Sequence, residues 1–464
     1  MSEHWDVVVI GAGPAGLAAA TLLAERDARV VLLDEQPAPG GQIYRGIERA
    51  AEHPALLAAL GPDYAYGAAL AARFRASGAA YRPGCMVWQM TPDREVWFSD
   101  GARSQCARAD VVILATGAME RPVPVPGWTL PGVMTVGAVQ IMLKSGVVPD
   151  EAFVIAGSGP LLYLLVQQCL AAGVRPAMVL ETASRADRWR SLPHLVRAMT
   201  NRVGRGDLAK GLGMIATLRR SGVRYHRHVR DIRIEGTDAV SGIAFRSGSA
   251  SHRIAARLVA LHEGVIPAQQ MARSIGCAFA WDAVQRCFSP VLDDWGASSV
   301  DGVMIAGDAG GIGGARAAEH AGRLAAFDAL RRLGRIDAAQ RDVLAADDRR
   351  ARWAHLAMRR FVDVLYAPRD EVRLPADDVV VCRCEEVTAG AVRDVVRQGC
   401  LGPNQAKAFL RAGMGPCQGR VCGPVVTELI ADARGVGPAE VGYYRIRAPL
   451  KPVTVGELAG LETT

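Results

Sequence analysis

The sequence predicts an α/β chain in which two Rossmann-like dinucleotide-binding domains, the second inserted into the first, precede a small α-helical module carrying four cysteines. Three observations carry this. The stretches "VVVIGAGPAGLAAATLLAERDARVVLLDE" (7–35) and "FVIAGSGPLLYLLVQQCLAAGVRPAMVLE" (153–181) are an internal repeat. Each runs from an apolar, β-branched segment through a glycine-rich turn and a long apolar helix into a second apolar segment ending in acid, the strand–turn–helix–strand unit of a dinucleotide fold. Next, "VDGVMIAGDAGGIGGARAAEHAGRLAAFDAL" (300–330) reads as a further strand, turn and helix, a return to the first domain. Last, beyond the breakers Pro368 and Pro375, thiols gather in "VCRCEEVTAG" and "GPCQGRVCGP".

The order of elements follows from these signals. Residues 1–121 form the first segment of the first domain, 122–266 the inserted domain, and 267–335 the return segment. Residues 336–376 are a helical linker with Trp353, Phe361 and Leu365 as packing residues, 377–435 the thiol module, and 436–464 a C-terminal tail. A length of 464 residues suits two to four cores. Lys and Arg exceed Asp and Glu by 54 to 47 with no basic tract, which excludes a nucleic-acid partner. Ten cysteines are too few for a disulfide scaffold, and "MSEHWDVVVIGAG" enters a strand without an export signal, so the expected compartment is cytoplasmic. Two uncharged stretches are long enough to raise a membrane span. The one from Pro122 to Leu143 is broken by four prolines, and the one from Ala152 to Val174 by "GSGP", Gln167 and Gln168. No span is expected.

In "GAGPAG", Gly11 permits the tight turn, Gly13 lets backbone approach a pyrophosphate, and Gly16 lets the helix that starts at Pro14 and Ala15 pack on the strand. Asp34 follows Gly11 by 23 positions, where a carboxylate accepts ribose hydroxyls, and Glu35 is its neighbour. The second turn keeps Gly157 and Gly159 but has Leu162 in place of the third glycine, and Glu181 follows Gly157 by 24 positions. A leucine there holds helix and strand apart or fills the phosphate space. Two readings stand: a structural domain that has lost its nucleotide, or a weak site for NAD or another adenine nucleotide, with Arg185 and Arg188 near a phosphate. No CxxC occurs, which disfavours disulfide reduction, and Cys85, Cys106, Cys169, Cys277 and Cys287 are isolated.

Cys382 and Cys384 are separated by 32 residues from Cys417 and Cys422. Four soft thiolates suit zinc or iron with sulfide. The CxC and CxxxxC spacing is unlike paired zinc knuckles, and Gly415, Gly419 and Gly423 leave N–H groups free for cluster sulfurs, which favours iron. Cys400, between the pairs, reads as structural.

"GGQIYR" (40–45), "ATG" (115–117) and "IAGDAGG" (305–311) together resemble the flavoproteins with two dinucleotide domains. That resemblance implies FAD at the first site, held by Gly11, Gly13, Pro14, Ala15, Gly16, Asp34, Glu35, Gly41, Gln42, Arg45, Ala115, Thr116, Gly117, Gly307, Asp308, Gly314 and Ala315. It places Asp308 on the ribityl chain or pyrophosphate and the following helix N-terminus toward the ring, and it makes the inserted domain NAD(P)-like. "CRCEEVTAGAVRDVVRQG" with "RAGMGPCQGRVCGP" resembles the bacterioferritin-associated-ferredoxin module, which implies a 2Fe-2S cluster ligated by Cys382, Cys384, Cys417 and Cys422.

With "LLDEQPAPGGQIYRG", "LATGAMERPVPVPGWTLPGV", "GSGPLL" and "HEGVIP", nearly the whole chain resembles the alpha subunits of heteromeric amine and imino-acid dehydrogenases. That family includes opine oxidases, D-hydroxyproline dehydrogenase, dye-linked proline dehydrogenase and hydrogen cyanide synthase. The resemblance implies a separate FAD-dependent, amino-acid-oxidase-like subunit that oxidises the carbon–nitrogen bond while this chain relays electrons to an acceptor. It leaves open a further nucleotide, an FMN shared with a partner, and a small ferredoxin-like subunit. The competing readings are a stand-alone NAD(P)H-dependent reductase, against which Leu162 argues, and a non-catalytic nucleotide-binding scaffold. No catalytic base is assigned. His262 and His320 lie near the expected cofactor segments and read as core histidines, His226 and His228 as one face of a strand, and Tyr44 with Arg45 either as lining a cofactor at a subunit boundary or as an ordinary loop contact.

Overall fold

The computed structural model describes residues 3–149 and 153–461. Val7, Val8 and Val9 are completely buried. They sit in a strand covered on both faces, which is why the run is continuously apolar. Each such burial contributes roughly 1.5–3 kcal/mol. The parallel part of this seven-stranded sheet runs Ala80–Arg82, Val30–Leu33, Glu3–Ile10, Ser104–Leu114, Val303–Ile305. The long strand Ser104–Leu114 is shared between neighbours. Its first half pairs antiparallel with Glu95–Ser99, and its end pairs parallel with Val303–Ile305, so the late segment does return to the first sheet. Helix Pro14–Ala24 crosses helix Ala315–Arg332 so closely that a Cβ on Gly322 would lie 2.0 Å from the carbonyl oxygen of Ala15.

The inserted repeat builds a second, five-stranded sheet in the order Arg224–Arg227, Met178–Glu181, Phe153–Ser158, Leu258–Glu263, Val133–Thr135, parallel throughout. The chain crosses between the sheets twice, and the crossings, Ala118–Glu120 and Val265–Pro267, pair antiparallel. The expected fold class is the observed one.

Some local expectations are corrected. His226 and His228 do not share a strand face, because the strand ends at Arg227 and His228 has φ 59°. The linker is helical over Ala338–Leu344, Ala346–His355 and Arg359–Leu365, but Trp353 is not a packing residue, being 50 % exposed. Its helix presents His355, stacked on His320, and Asp348, bonded to His320, to the long helix Ala315–Arg332. That rotation turns Trp353 outward beneath the Arg197 guanidinium. No helix among the described residues is long and apolar enough to cross a membrane.

The thiol module packs helices Ala389–Arg397, Pro403–Leu410 and Gly423–Arg434 on one another. Val8, Phe98 and Leu114 share a single apolar core with Val426, Leu429 and Ile430. The segment after 436 is bound along the first domain rather than trailing from it. Leu450 N–H donates to the carbonyl of Trp88 at 2.6 Å, Lys451 pairs with Glu35, and Ser99 Oγ donates to Glu457.

Candidate cofactor sites

The first glycine turn is set by close backbone approach. Gly11 has φ 105°, and a Cβ on it would lie 2.5 Å from the Ala115 carbonyl oxygen; one on Gly16 would lie 1.8 Å from the Gly11 carbonyl oxygen. At Gly13 the nearest atom is Gly41 Cα at 4.0 Å, so a side chain there would project into open space instead of protein. That is the cradle a pyrophosphate needs at a helix N-terminus. Asp34 is buried and accepts from Ala12 N–H at 2.5 Å and Gln36 N–H at 2.6 Å. Burial nevertheless holds its carboxyl above the usual carboxylate range, with the two backbone bonds pulling the other way. Glu35 is engaged by Lys451.

Arg45 donates to Gln42 Oε1 at 3.0 Å, while the Gln42 carbonyl accepts from Lys144 Nζ. Tyr44, by contrast, is a core residue, 2 % exposed, with its ring over Gly67. Ala115 N–H continues the ladder to the Ile10 carbonyl, and Gly117 accepts from Ala268 N–H, with Thr116 Oγ1 also on Ala268. Gly307, at φ 71°, packs its α-carbon toward Ala15. Asp308 Oδ1 accepts from Gly313 N–H at 2.8 Å and Gly314 N–H at 2.9 Å, at the start of the helix that begins at Ala315. Segments 11–16, 34–45, 115–117 and 307–315 therefore meet at the carboxyl ends of the parallel strands, around two helix N-termini, an arrangement that fits FAD.

The second turn is built differently. Gly157 and Gly159 have φ 138° and 124°. A Cβ on Gly157 would lie 1.8 Å from the His262 carbonyl, and one on Gly159 3.2 Å from the His262 ring, so a histidine occupies the space beside this turn. His262 Nδ1 is 2.7 Å from Glu120 Oε1. Leu162 is fully buried in the core. Glu181 is spent internally: Tyr163 and Tyr225 hydroxyls donate to it at 2.7 and 2.5 Å, and Arg188 and Arg227 pair with it. The linker closes over the same end, with Tyr366 beside the Tyr163 ring and Arg369 donating to the Thr182 carbonyl at 2.9 Å.

The four thiols come together as two pairs, Cys382 with Cys422 and Cys384 with Cys417. The hydrogen bond from Cys422 pushes the Cys382 thiol down to about 6, with further help from the backbone N–H groups of Gly413, Glu385 and Cys384. Cys422 stands at the N-cap position of the helix Gly423–Arg434 without a side-chain cap bond, and its bond to Cys382, together with burial, holds its own thiol well above the usual range. A set of four soft sulfur donors fits an iron–sulfur cluster. Cys400 is buried, and its Sγ faces the Gly402 carbonyl at 3.4 Å.

The glycines around the second pair have a steric role that the sequence did not disclose. A Cβ on Gly415 would lie 2.2 Å from Cys384 Cβ, one on Gly419 2.5 Å from the Tyr444 ring, and one on Gly423 2.1 Å from the Tyr443 hydroxyl. The N–H groups aimed at Cys382 are those of Gly413, Glu385 and Cys384, while Gly423 N–H donates to the Gly419 carbonyl. Tyr443, Tyr444 and Arg273 were not singled out in the sequence. The adjacent tyrosines in "GYYRIR" are the signal that marks two of them.

Comparison with known proteins agrees with this geometry. Residues 5–322 match the pyridine nucleotide-disulphide oxidoreductase family, and residues 380–432 match the BFD-like 2Fe-2S binding domain. The chain is 47 % identical to an opine oxidase subunit of Rhizobium meliloti (strain 1021), over 98 % of this chain and 99 % of that one. It is 34 % identical to the hydrogen cyanide synthase subunit HcnB of Pseudomonas protegens, over 96 % of each. The structure of L-proline dehydrogenase from P. horikoshii superposes with a TM-score of 0.70 at 21 % identity, covering 99 % of this chain and 80 % of that one, a likeness of fold.

Proposed function

This chain belongs to the pyridine nucleotide-disulphide oxidoreductase family and, within it, with the opine oxidase subunits, one of which it matches almost end to end, and from that premise we propose that it relays electrons within a heteromeric dehydrogenase. It is a flavin- and 2Fe-2S-containing oxidoreductase subunit of the class that acts on CH–NH donors. The proposed donor is a secondary amine or imino acid of the opine, proline or D-hydroxyproline class, oxidised in a partner flavoprotein. When bound, FAD supplies two-electron acceptance with one-electron release, and the cluster supplies one-electron transfer.

The observation that carries the reading is that the thiol module shares one apolar core with the sheet bearing the first glycine turn. The buried pair Arg373–Glu428 further locks the linker to the helix behind Cys422. In this reading Gly13 and Gly41 leave room for the pyrophosphate, and Asp34, held by two backbone N–H groups, offers its remaining lone pairs to the ribose. Asp308 Oδ1 ties down the turn before the helix at Ala315, which leaves Oδ2 for the cofactor. Cys382, Cys384, Cys417 and Cys422 hold the cluster. The engagement of Glu181 by four side chains weighs against direct reduction by NAD(P)H.

The test is anaerobic spectroscopy of the chain alone and co-purified with an amino-acid-oxidase-like partner. Secondary amines should bleach flavin and cluster only in the complex. Bleaching of the isolated chain by NADH or NADPH, or a chain with neither flavin nor acid-labile sulfide, would overturn the proposal.

A further inference from the structure

Tyr444 lies outside the matched ferredoxin-like segment, 2 % exposed, with its hydroxyl 3.7 Å from Cys422 Sγ. Its ring has a single place to go. Side chains on Gly413 and Gly419 would sit 2.7 and 2.5 Å from it, so the bare backbone of the cysteine loop is shaped to this tyrosine. Tyr443 packs edge-on against it at 5.7 Å and donates to the Gly419 carbonyl. On the far side of Tyr443 is Arg273, its guanidinium 4.3 Å from that ring, 4.0 Å from Phe279 and 4.9 Å from Phe288. Arg273 Nε donates to Gln269 Oε1 at 2.8 Å, one residue from Ala268, which bonds Gly117 of the first nucleotide site.

The contacts therefore run unbroken from the flavin-domain loop to one ligand sulfur. They also give the cluster site two unlike edges. Cys382 and Cys422, the latter against Tyr444, are buried, whereas Cys384 is exposed and Cys417 partly so. A ligand thiolate carries no proton, so in the Tyr444–Cys422 contact the phenol is the donor. A hydrogen bond to a ligand sulfur draws off negative charge and favours the more reduced, more negative state.

We propose that Tyr444 tunes the cluster: its hydroxyl, fixed by the glycine loop and the Tyr443–Arg273 stack, donates to Cys422 Sγ and raises the affinity of the inward edge for an electron. The proposal rests on the four-cysteine ligation above, and its test separates the two. In the full chain, an EPR-monitored redox titration, which reads only the loaded fraction, should show Tyr444→Phe about tenfold weaker in one-electron affinity, roughly 59 mV lower. Tyr443→Phe keeps both rings, loses only the bond to Gly419, and should leave the potential where it was. Wild-type protein reconstituted in D2O should show a deuteron coupled to the reduced cluster that Tyr444→Phe lacks. An intact cluster with unchanged potential in Tyr444→Phe, an equal shift in Tyr443→Phe, or no coupled deuteron in the wild type overturns the tuning role alone. A wild-type chain devoid of iron and sulfide overturns the ligation with it.

Discussion

Lys144 Nζ donates to the carbonyl oxygen of Gln42 at 2.8 Å, joining the helix Val136–Lys144 of the inserted unit to the glycine-rich loop of the first nucleotide site. Its other partner is Gln140 Oε1 at 3.2 Å; Gln140 in turn donates to Gln168, and Gln168 to the Leu60 carbonyl. The lysine is 1 % exposed, and burial pushes its ammonium down to about 7, with Arg45 adding to the effect.

A pH dependence follows. Below pH 7 Lys144 is charged in both folded and unfolded chains, and above its unfolded value of about 10.4 it is neutral in both. Between these limits the unfolded chain binds more protons, so this residue adds stability as pH rises, at most about 1.4 kcal/mol per pH unit. Urea unfolding of wild type and Lys144→Met from pH 7 to 10 should show the wild type gaining on the variant. Parallel curves would place the ammonium in a wetter site than its burial indicates.

Gly13 and Gly16 should fail in different ways. Gly16→Ala drives a methyl into the Gly11 carbonyl, so both the fold and FAD retention suffer. Gly13→Ala meets no chain atom nearer than 4.0 Å, so apoprotein melting should be unchanged while FAD affinity falls about tenfold or more, because the methyl occupies ligand space. Equal FAD affinity in Gly13→Ala and wild type, read by fluorescence titration, would remove Gly13 from the cradle.

Gly415→Ala places a methyl 2.2 Å from Cys384 Cβ. Iron and acid-labile sulfide per chain should drop severalfold, with flavin content retained. Cys400→Ala should keep its iron, since that thiol faces the Gly402 carbonyl. Loss of the cluster from Cys400→Ala would redraw the ligand set.

Glu428→Gln leaves the Arg373 guanidinium without its buried partner, a loss of about 3–5 kcal/mol. Thermal bleaching of the cluster absorbance should move to a clearly lower temperature than loss of flavin fluorescence does. A melt identical to wild type would show that Asp370, which also pairs with Arg373, suffices.

The repeat, the return strand and the four-thiol module were legible because each is a local pattern. Continuous apolar strands, a glycine turn and CxC spacing express forces acting over a few residues. Glu181 shows the limit. Its position after Gly157 reads as a ribose acceptor, yet Tyr225 and Arg227, more than forty residues on, neutralise it by sheet pairing that no local pattern reveals.

Trp353 failed for a related reason, since helical periodicity names an apolar face without saying which way the helix is turned. The sequence by itself determined the two dinucleotide folds, their order and the two thiol pairs of the C-terminal module, because backbone sterics and local chemistry are written in single residues and short spacings. Only the tertiary structure decided that the second glycine turn faces His262 and that the cysteine-loop glycines are shaped to Tyr443 and Tyr444. It alone also placed the last segment as a strap on the first domain, because close packing couples residues that are remote in the chain.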